Sequence, residues 1–221
     1  MNKSNRSTAT LPRGDFSRGP GKSLTKEQRD EERLERLTLA AFDLFTERGF
    51  SHTPIELLCS TANVSTRDFY KLGKNREALM AQVYQRVARF AETCVLQALA
   101  SAPVDDWDAR LDAAIDAWVH AYTHDERYAR LSYLDSVGVS DELEQIRSEA
   151  HERFAALIRN EFHQRFPEND KVLAGKLPVA IIGACNELVR DWLGTRPRPS
   201  PEALTREIKL LYGVIIQGLE A

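Results

Sequence analysis

Seven consecutive residues, Ser65-Thr66-Arg67-Asp68-Phe69-Tyr70-Lys71, carry hydroxyls, a guanidinium, a carboxylate, a phenol and an ammonium. These are the groups that grip phosphates and read the edges of bases. Arg67 can hold guanine O6 and N7 in bidentate fashion, or it can grip a phosphate. Asp68 is either the acid of a helix cap or an acceptor for a cytosine N4. Lys74 and Arg76, just downstream, are candidate phosphate anchors, which fix register and raise affinity without reading sequence. Thr53 and Ser65 are cap residues first, at helix N-termini that can also bind phosphate.

Such groups need rigid elements to aim them. TPIE at Thr53–Glu56 and STRD at Ser65–Asp68 share one pattern, a hydroxyl followed three places later by an acid. That is the sequence form of a capping box, and Pro54 suits a first helical position. The two starts predict short helices over about 54–61 and 66–72, with Phe69 inward and Thr66, Arg67 and Lys71 outward. Ala62-Asn63-Val64 joins them, and Asn63 tolerates the left-handed conformation of a tight turn. Helices this short are unstable alone in water, so they must pack on each other and on a neighbour. The neighbour is a helix over about 26–48, opened by a further box, TKEQ. It is striped by Leu34, Leu37, Ala41, Leu44 and Phe45 and closed by Gly49. The arrangement is a helix-turn-helix, whose second helix typically enters the DNA major groove.

The rest of the chain reads as helices over about 75–100, 106–123, 126–135, 141–166, 170–193 and 201–219, with no strand. Pro178 kinks the 170–193 segment or delays its start. The last two segments are apolar on more than one side, and both sides need burial. Ile181, Cys185, Leu188 and Trp192, with Leu204, Ile208, Leu211 and Ile215, are the candidate faces for a second subunit. A four-helix homodimer contact would present two recognition helices to a palindromic site.

Composition sets the outer limits. The 221 residues are 43% hydrophobic and 29% charged, which is globular and large enough for a real core. No apolar run approaches the ~18 residues of a membrane span, and the N-terminus lacks a signal-peptide stretch. The expectation is a cytoplasmic protein with no membrane partner. Residues 1–80 hold 14 Lys+Arg against 11 Asp+Glu (+3), leaving 16 against 22 (−6) for the remainder. A basic N-terminal segment on an acidic body fits a polyanion partner at one end. Residues 1–24 read as a disordered basic tail. Cys59, Cys94 and Cys185 have no metal-ligand spacing and read as small buried thiols. HExxH, GxSxG, Walker and GxGxxG motifs are missing from the sequence, so neither an enzyme nor a metal or other cofactor is expected.

Taken in order, the first helix ending in ERGF and then TPIELLCSTANVSTRDFYKLGKNREAL resembles the TetR family of bacterial transcription regulators. The likeness covers roughly 50 of the 221 residues. It rests on the pair Leu58-Cys59, the turn Ala62-Asn63-Val64-Ser65, the aromatics Phe69-Tyr70 and the trailing Asn75-Arg76-Glu77-Ala78-Leu79. The sequence departs from the family pattern at Asn63, where a glycine is usual, at Cys59, where alanine is usual, and at Leu72-Gly73. Gly73 lacks the packing of an aromatic there, which predicts a looser junction before the next helix.

The resemblance implies an all-α fold, a helix-turn-helix DNA-binding domain over 25–76 and a ligand-binding and dimerisation domain over 77–221. Tyr70 is similar to the family's phosphate-contacting tyrosine. The implied partners are double-stranded DNA, a second copy of the chain and a small-molecule effector of unknown identity. Phe90, Trp107, Trp118, Tyr122, Tyr133 and Phe154, with Asn186 and Glu187 as polar orienters, are the candidate pocket residues. The acidic body favours a neutral or cationic ligand. The implied role is a ligand-released repressor. Two rivals are a helical carrier or enzyme using the C-terminal cavity, and a protein-interaction module.

Overall fold

The computed structural model describes Leu11 and residues 24–221, so the expected tail over 1–24 lies, apart from Leu11 and Leu24, outside the described residues. Among the described residues the chain is helical throughout and has no strand. The elements are α1 (Lys26–Arg48), α2 (Ile55–Ala62), α3 (Thr66–Leu72), α4 (Arg76–Ser101), α5 (Trp107–Thr123), α6 (Glu126–Arg130), α7 (Asp141–Arg165), α8 (Asp170–Leu173), α9 (Leu177–Gly194) and α10 (Pro201–Glu220). They fall into two compact units, one ending at Val87 and including Asp135–Glu144, the other formed by Ala88–Leu134 and Gln145–Ala221. The division falls inside α4, beyond the junction at residue 76 where the sequence places it.

In the first unit α1, α2 and α3 pack on one another. Thr25 and Gln28 make the reciprocal capping box at the start of α1. Gly49 ends α1 at φ 85, ψ 156, a positive φ but not the left-handed helical cap expected of it. Leu37, Phe42, Phe45, Leu58 and Phe69 are fully buried and form the core. Burying side chains of this size is what holds helices as short as α2 and α3 in place. Glu35 is the buried carboxylate of α1, and Arg86 of α4 binds it through two hydrogen bonds of 3.0 and 2.7 Å.

The second unit packs α5 against α6 and α10, and α9 against α6, α8 and α10. Two predicted helices prove to be composite. The 126–135 segment is α6 followed by a π-helical turn over Leu131–Asp135. The 170–193 segment is the short α8 and then α9, with Pro178 in the first turn of α9, where its missing N–H is harmless.

Candidate nucleic-acid interface and effector cavity

The turn between α2 and α3 is built as its residue types predict. Asn63 takes φ 51, ψ 53, the left-handed conformation, and its N–H bonds back to Ser60 O. Arg36 of α1 donates to the Asn63 carbonyl at 3.3 Å and ties the turn to the first helix. Ser65 then caps α3, its hydroxyl accepting from Asp68 N at 3.1 Å. Phe69 is buried, and its ring meets Tyr70 edge-on at 5.4 Å. At the end of α3, Gly73 is buried against Phe69. A Cβ there would lie 3.3 Å from the Phe69 carbonyl oxygen, so the missing aromatic is matched by a close backbone approach. Asn75 caps α4 by accepting from Ala78 N at 2.7 Å.

The candidate DNA-binding residues separate into three groups. Ser65, Thr66, Arg67, Tyr70 and Lys74 are exposed, with Tyr70 58% exposed. Arg67 and Tyr70, one turn apart on α3, face outward, and Lys74 follows at the junction with φ 61. Neither Arg67 nor Lys74 makes a hydrogen bond or ion pair with the described residues. Lys71, also exposed, and the half-buried Asp68 engage α1. Lys71 hydrogen-bonds Asp30, Arg33 bonds the same Asp30 at 2.9 Å, and Arg33 reaches Asp68 at 3.7 Å. The Lys71 ammonium holds the Asp30 carboxyl below the usual carboxylate range. This quartet of two acids and two bases is neutral and links α3 to α1.

Thr53 and Arg76 form the third group, and both readings of them are corrected. Thr53 is 0% exposed and does not cap α2; its hydroxyl donates to the Gly49 carbonyl at 2.9 Å. Pro54, with extended backbone, occupies the N-cap position and offers no side-chain cap, so α2 begins at Ile55. Arg76 is half-buried and points back into the unit. It donates to the carbonyls of Thr53 at 3.0 Å and Phe50 at 3.3 Å and lies over the Phe50 ring at 4.8 Å. Its charge is spent on holding the loop between α1 and α2, because those carbonyls have no helical partner of their own.

The second unit encloses a cavity of about 60 Å³. Its wall is largely aliphatic, from Val95 and Leu99 of α4, Leu111 and Ile115 of α5, Leu157 and Ile158 of α7 and Ile182 and Ile208 of the last two helices. Of the candidate pocket residues, Trp118 and Phe154 line it and the others do not. Phe90 stacks with His124 and Tyr128. Trp107 packs edge-on against Phe162 and donates to the Glu161 carbonyl at 2.9 Å. Tyr122 and Tyr133 face each other at 5.2 Å. Asn186 pairs with His151 at 3.1 Å, and Glu187 is exposed beside Arg190. An aromatic bias pointed the sequence reading to the packed rings around the cavity rather than to its aliphatic lining.

The polar atoms of the wall are few. Glu161 is held by Arg110 through bonds of 3.1 and 2.9 Å. The Tyr212 hydroxyl and Cys185 thiol are neighbours that interact, and burial pushes the Cys185 thiol up to about 12 and the Tyr212 phenol well above its ordinary range. Cys59 and Cys185 are buried and Cys94 half-buried, all as free thiols.

The two apolar sides of the last helices divide cleanly. Ile181, Cys185, Trp192, Leu204 and Ile208 are buried within their own unit, so they are not free to meet a second subunit as expected. The outer side carries Leu188, Leu211 and Ile215, half-buried, with Leu210 at 64% and Val214 at 61% exposure, two residues absent from the sequence-based face. A shallow depression there is lined by Ala184, Leu188, Leu210, Leu211 and Val214 and rimmed by Glu187, Asp191 and Glu207. Among the described residues, no helix is long and apolar enough to cross a membrane, and no group of His, Cys, Asp or Glu has the arrangement to hold a metal ion.

No protein-family model matches the sequence. Solved structures do match. The fatty acid degradation regulator FadR of Bacillus halodurans is 17% identical, with a TM-score of 0.68 over 89% of this chain and 96% of that one. FadR of Bacillus subtilis, solved in complex with stearoyl-CoA, is 16% identical, with a TM-score of 0.64 over 78% and 94%. A TetR-like transcriptional regulator from a Rhodococcus species is 18% identical, with a TM-score of 0.64 over 89% and 100%. At these identities the likeness is one of architecture: the chain has the all-α fold of the TetR-like transcriptional regulators.

Proposed function

We propose that the chain is a DNA-binding transcriptional regulator of the TetR family, acting in the cytoplasm as a homodimer and not as an enzyme. The carrying observation is the outward face of α3, where Thr66, Arg67 and Tyr70 are exposed while Phe69 is buried and Asn63 makes the turn. Tyr70 and Lys74 hold phosphates, and Arg67 reads a guanine edge in the major groove. The exposed Leu210 and Val214 face of α10, with Leu188 and Leu211, meets its own copy and brings two recognition helices to a palindromic operator. The effector enters the cavity of the second unit; that Bacillus subtilis FadR, similar in fold, binds stearoyl-CoA supports a small-molecule effector in general. It acts as an inducer that prefers a dimer state whose recognition helices no longer match the half-sites, releasing a repressor. A ligand binding both states equally would shift nothing.

Fluorescence anisotropy tests this with the purified chain, DNA flanking its own gene and a scrambled duplex, at two salt concentrations. Selective binding that weakens with salt is expected. A folded dimer that selects no sequence, from the flanking DNA or from a random-sequence library, would sink the regulator reading.

A further inference from the structure

The chain has three tryptophans. Two of their indole N–H groups are satisfied, Trp107 by the Glu161 carbonyl at 2.9 Å and Trp192 by the Pro199 carbonyl at 2.8 Å. The third, Trp118, is 6% exposed, lines the cavity, and its Nε1 is fully buried with no hydrogen-bond partner. A buried donor left unpaired costs on the order of its full desolvation, about 1–3 kcal/mol, and native chains rarely leave one without a reason.

Every other polar group of the wall is committed. Glu161 is bound in bidentate fashion by Arg110, and the buried Tyr212 and Cys185 interact with each other. No Lys, Arg or His lines the cavity. An anion would enter a low-dielectric space with no free cation to meet it. A pure hydrocarbon would fit the walls and leave the indole unpaired. A neutral, largely apolar molecule with one acceptor atom satisfies both conditions.

We infer that the effector is a small, uncharged, mainly apolar compound whose single carbonyl or ether oxygen accepts from Trp118 Nε1, which neighbouring atoms cover in the present packing and which an expanded cavity uncovers. This rests on the reading of the cavity as the effector site and names the ligand class for it. The present volume of about 60 Å³ is below that of the ~150 Å³ engineered cavities that take benzene. Binding therefore selects an expanded state of the second unit, which is what gives an effector its leverage on the equilibrium.

The test is an NMR titration of the full chain with three matched probes: cyclopentanone, cyclopentane and cyclopentanecarboxylate. The Trp118 indole signal is assigned by its loss in Trp118→Phe, and the bonded indoles of Trp107 and Trp192 serve as internal references. Cyclopentanone should move the Trp118 signal saturably and bind about tenfold more tightly than cyclopentane, the worth of one hydrogen bond. The carboxylate should move none of the three. In Trp118→Phe the order should reverse, because a carbonyl buried without a donor pays its desolvation unreturned. The native-chain comparison stands even if that variant fails to fold. Equal affinity for ketone and hydrocarbon, absence of saturable ketone binding, a ketone preference surviving in Trp118→Phe, or tightest binding by the carboxylate would each overturn the inference. Selective DNA binding without a ketone preference removes this inference alone. A ketone preference without selective DNA binding removes the regulator reading alone.

Discussion

The two units dispose of their unspent polar groups in opposite ways. The first keeps them outside: Arg67 and Lys74 bond to nothing among the described residues, while Lys71, Asp68 and Arg76 are consumed in holding the unit together. The second also leaves donors inside, among them Trp118 Nε1 beside the cavity, where Arg110 pairs the neighbouring Glu161. The proposed partners account for the difference. A phosphate backbone arrives hydrated and charged and is met at the surface, where exposed cations keep their own hydration until contact. A small apolar ligand must leave water behind, so its one polar contact is worth most where the dielectric is low.

The sharpest way to break this contrast is to remove the core of one unit. Phe69→Ala deletes a fully buried ring and should cost about 3–5 kcal/mol. Hydrogen exchange should then quicken through α1–α3 while the core amides of α9 and α10 stay protected. Equal loss of protection in both units would show that they stand or fall together.

Next in size is the outer face of the last two helices. Leu210→Asp places a charge on an exposed apolar residue and should leave the fold intact while costing the dimer about 2 kcal/mol or more. Sedimentation at micromolar concentration would read the shift to monomer. An unchanged dimer would move the subunit contact elsewhere.

The three groups on and beside α3 give a finer comparison. Arg67→Ala should cost about 1–3 kcal/mol at one base position and relax its specificity. Lys74→Gln should weaken all sequences alike and lower the salt slope by about one. Arg76→Ala should instead lower the melting stability by about 1–3 kcal/mol, because it leaves the Thr53 carbonyl unpaired and the Phe50 carbonyl with only its bond from Thr53 N. If Arg76→Ala altered only the salt slope, its assignment to the interior would be wrong.

At neutral pH the smallest effect is that of the Cys185 thiol, which shows only under alkaline conditions. Burial raises the Cys185 thiol to about 12 from an ordinary value near 9.0. The unfolded chain therefore loses that proton first. Stability is full below pH ~9 and falls as pH rises towards 12, by up to about 1.4 kcal/mol per pH unit for each such group. Denaturant titrations of Cys185→Ala should show a shallower alkaline decline. An identical slope would mean that other groups carry it.

Local chemistry was readable in the sequence and long-range pairing was not. Thr25, Asn63, Ser65 and Pro178 act through neighbours within a few positions, and their types alone foretell the helix starts and the turn. The ion pair of the exposed Lys71 and the inward turn of Arg76 are not legible in the sequence because their partners lie 41 and 26 positions away. Thr53 misled because a hydroxyl before proline fits a cap equally well one residue too early. Two-sided apolar helices were evident in α9 and α10, but which side faces out depends on the packing of α5 and α6, which no short pattern encodes.

All three indoles lie in the second unit, at Trp107, Trp118 and Trp192. The chain's intrinsic tryptophan emission is consequently blind to the helix-turn-helix. An unfolding curve followed by that emission describes the second unit alone, while far-ultraviolet dichroism sums both. Any gap between the two curves measures how loosely the helix-turn-helix is coupled to the rest.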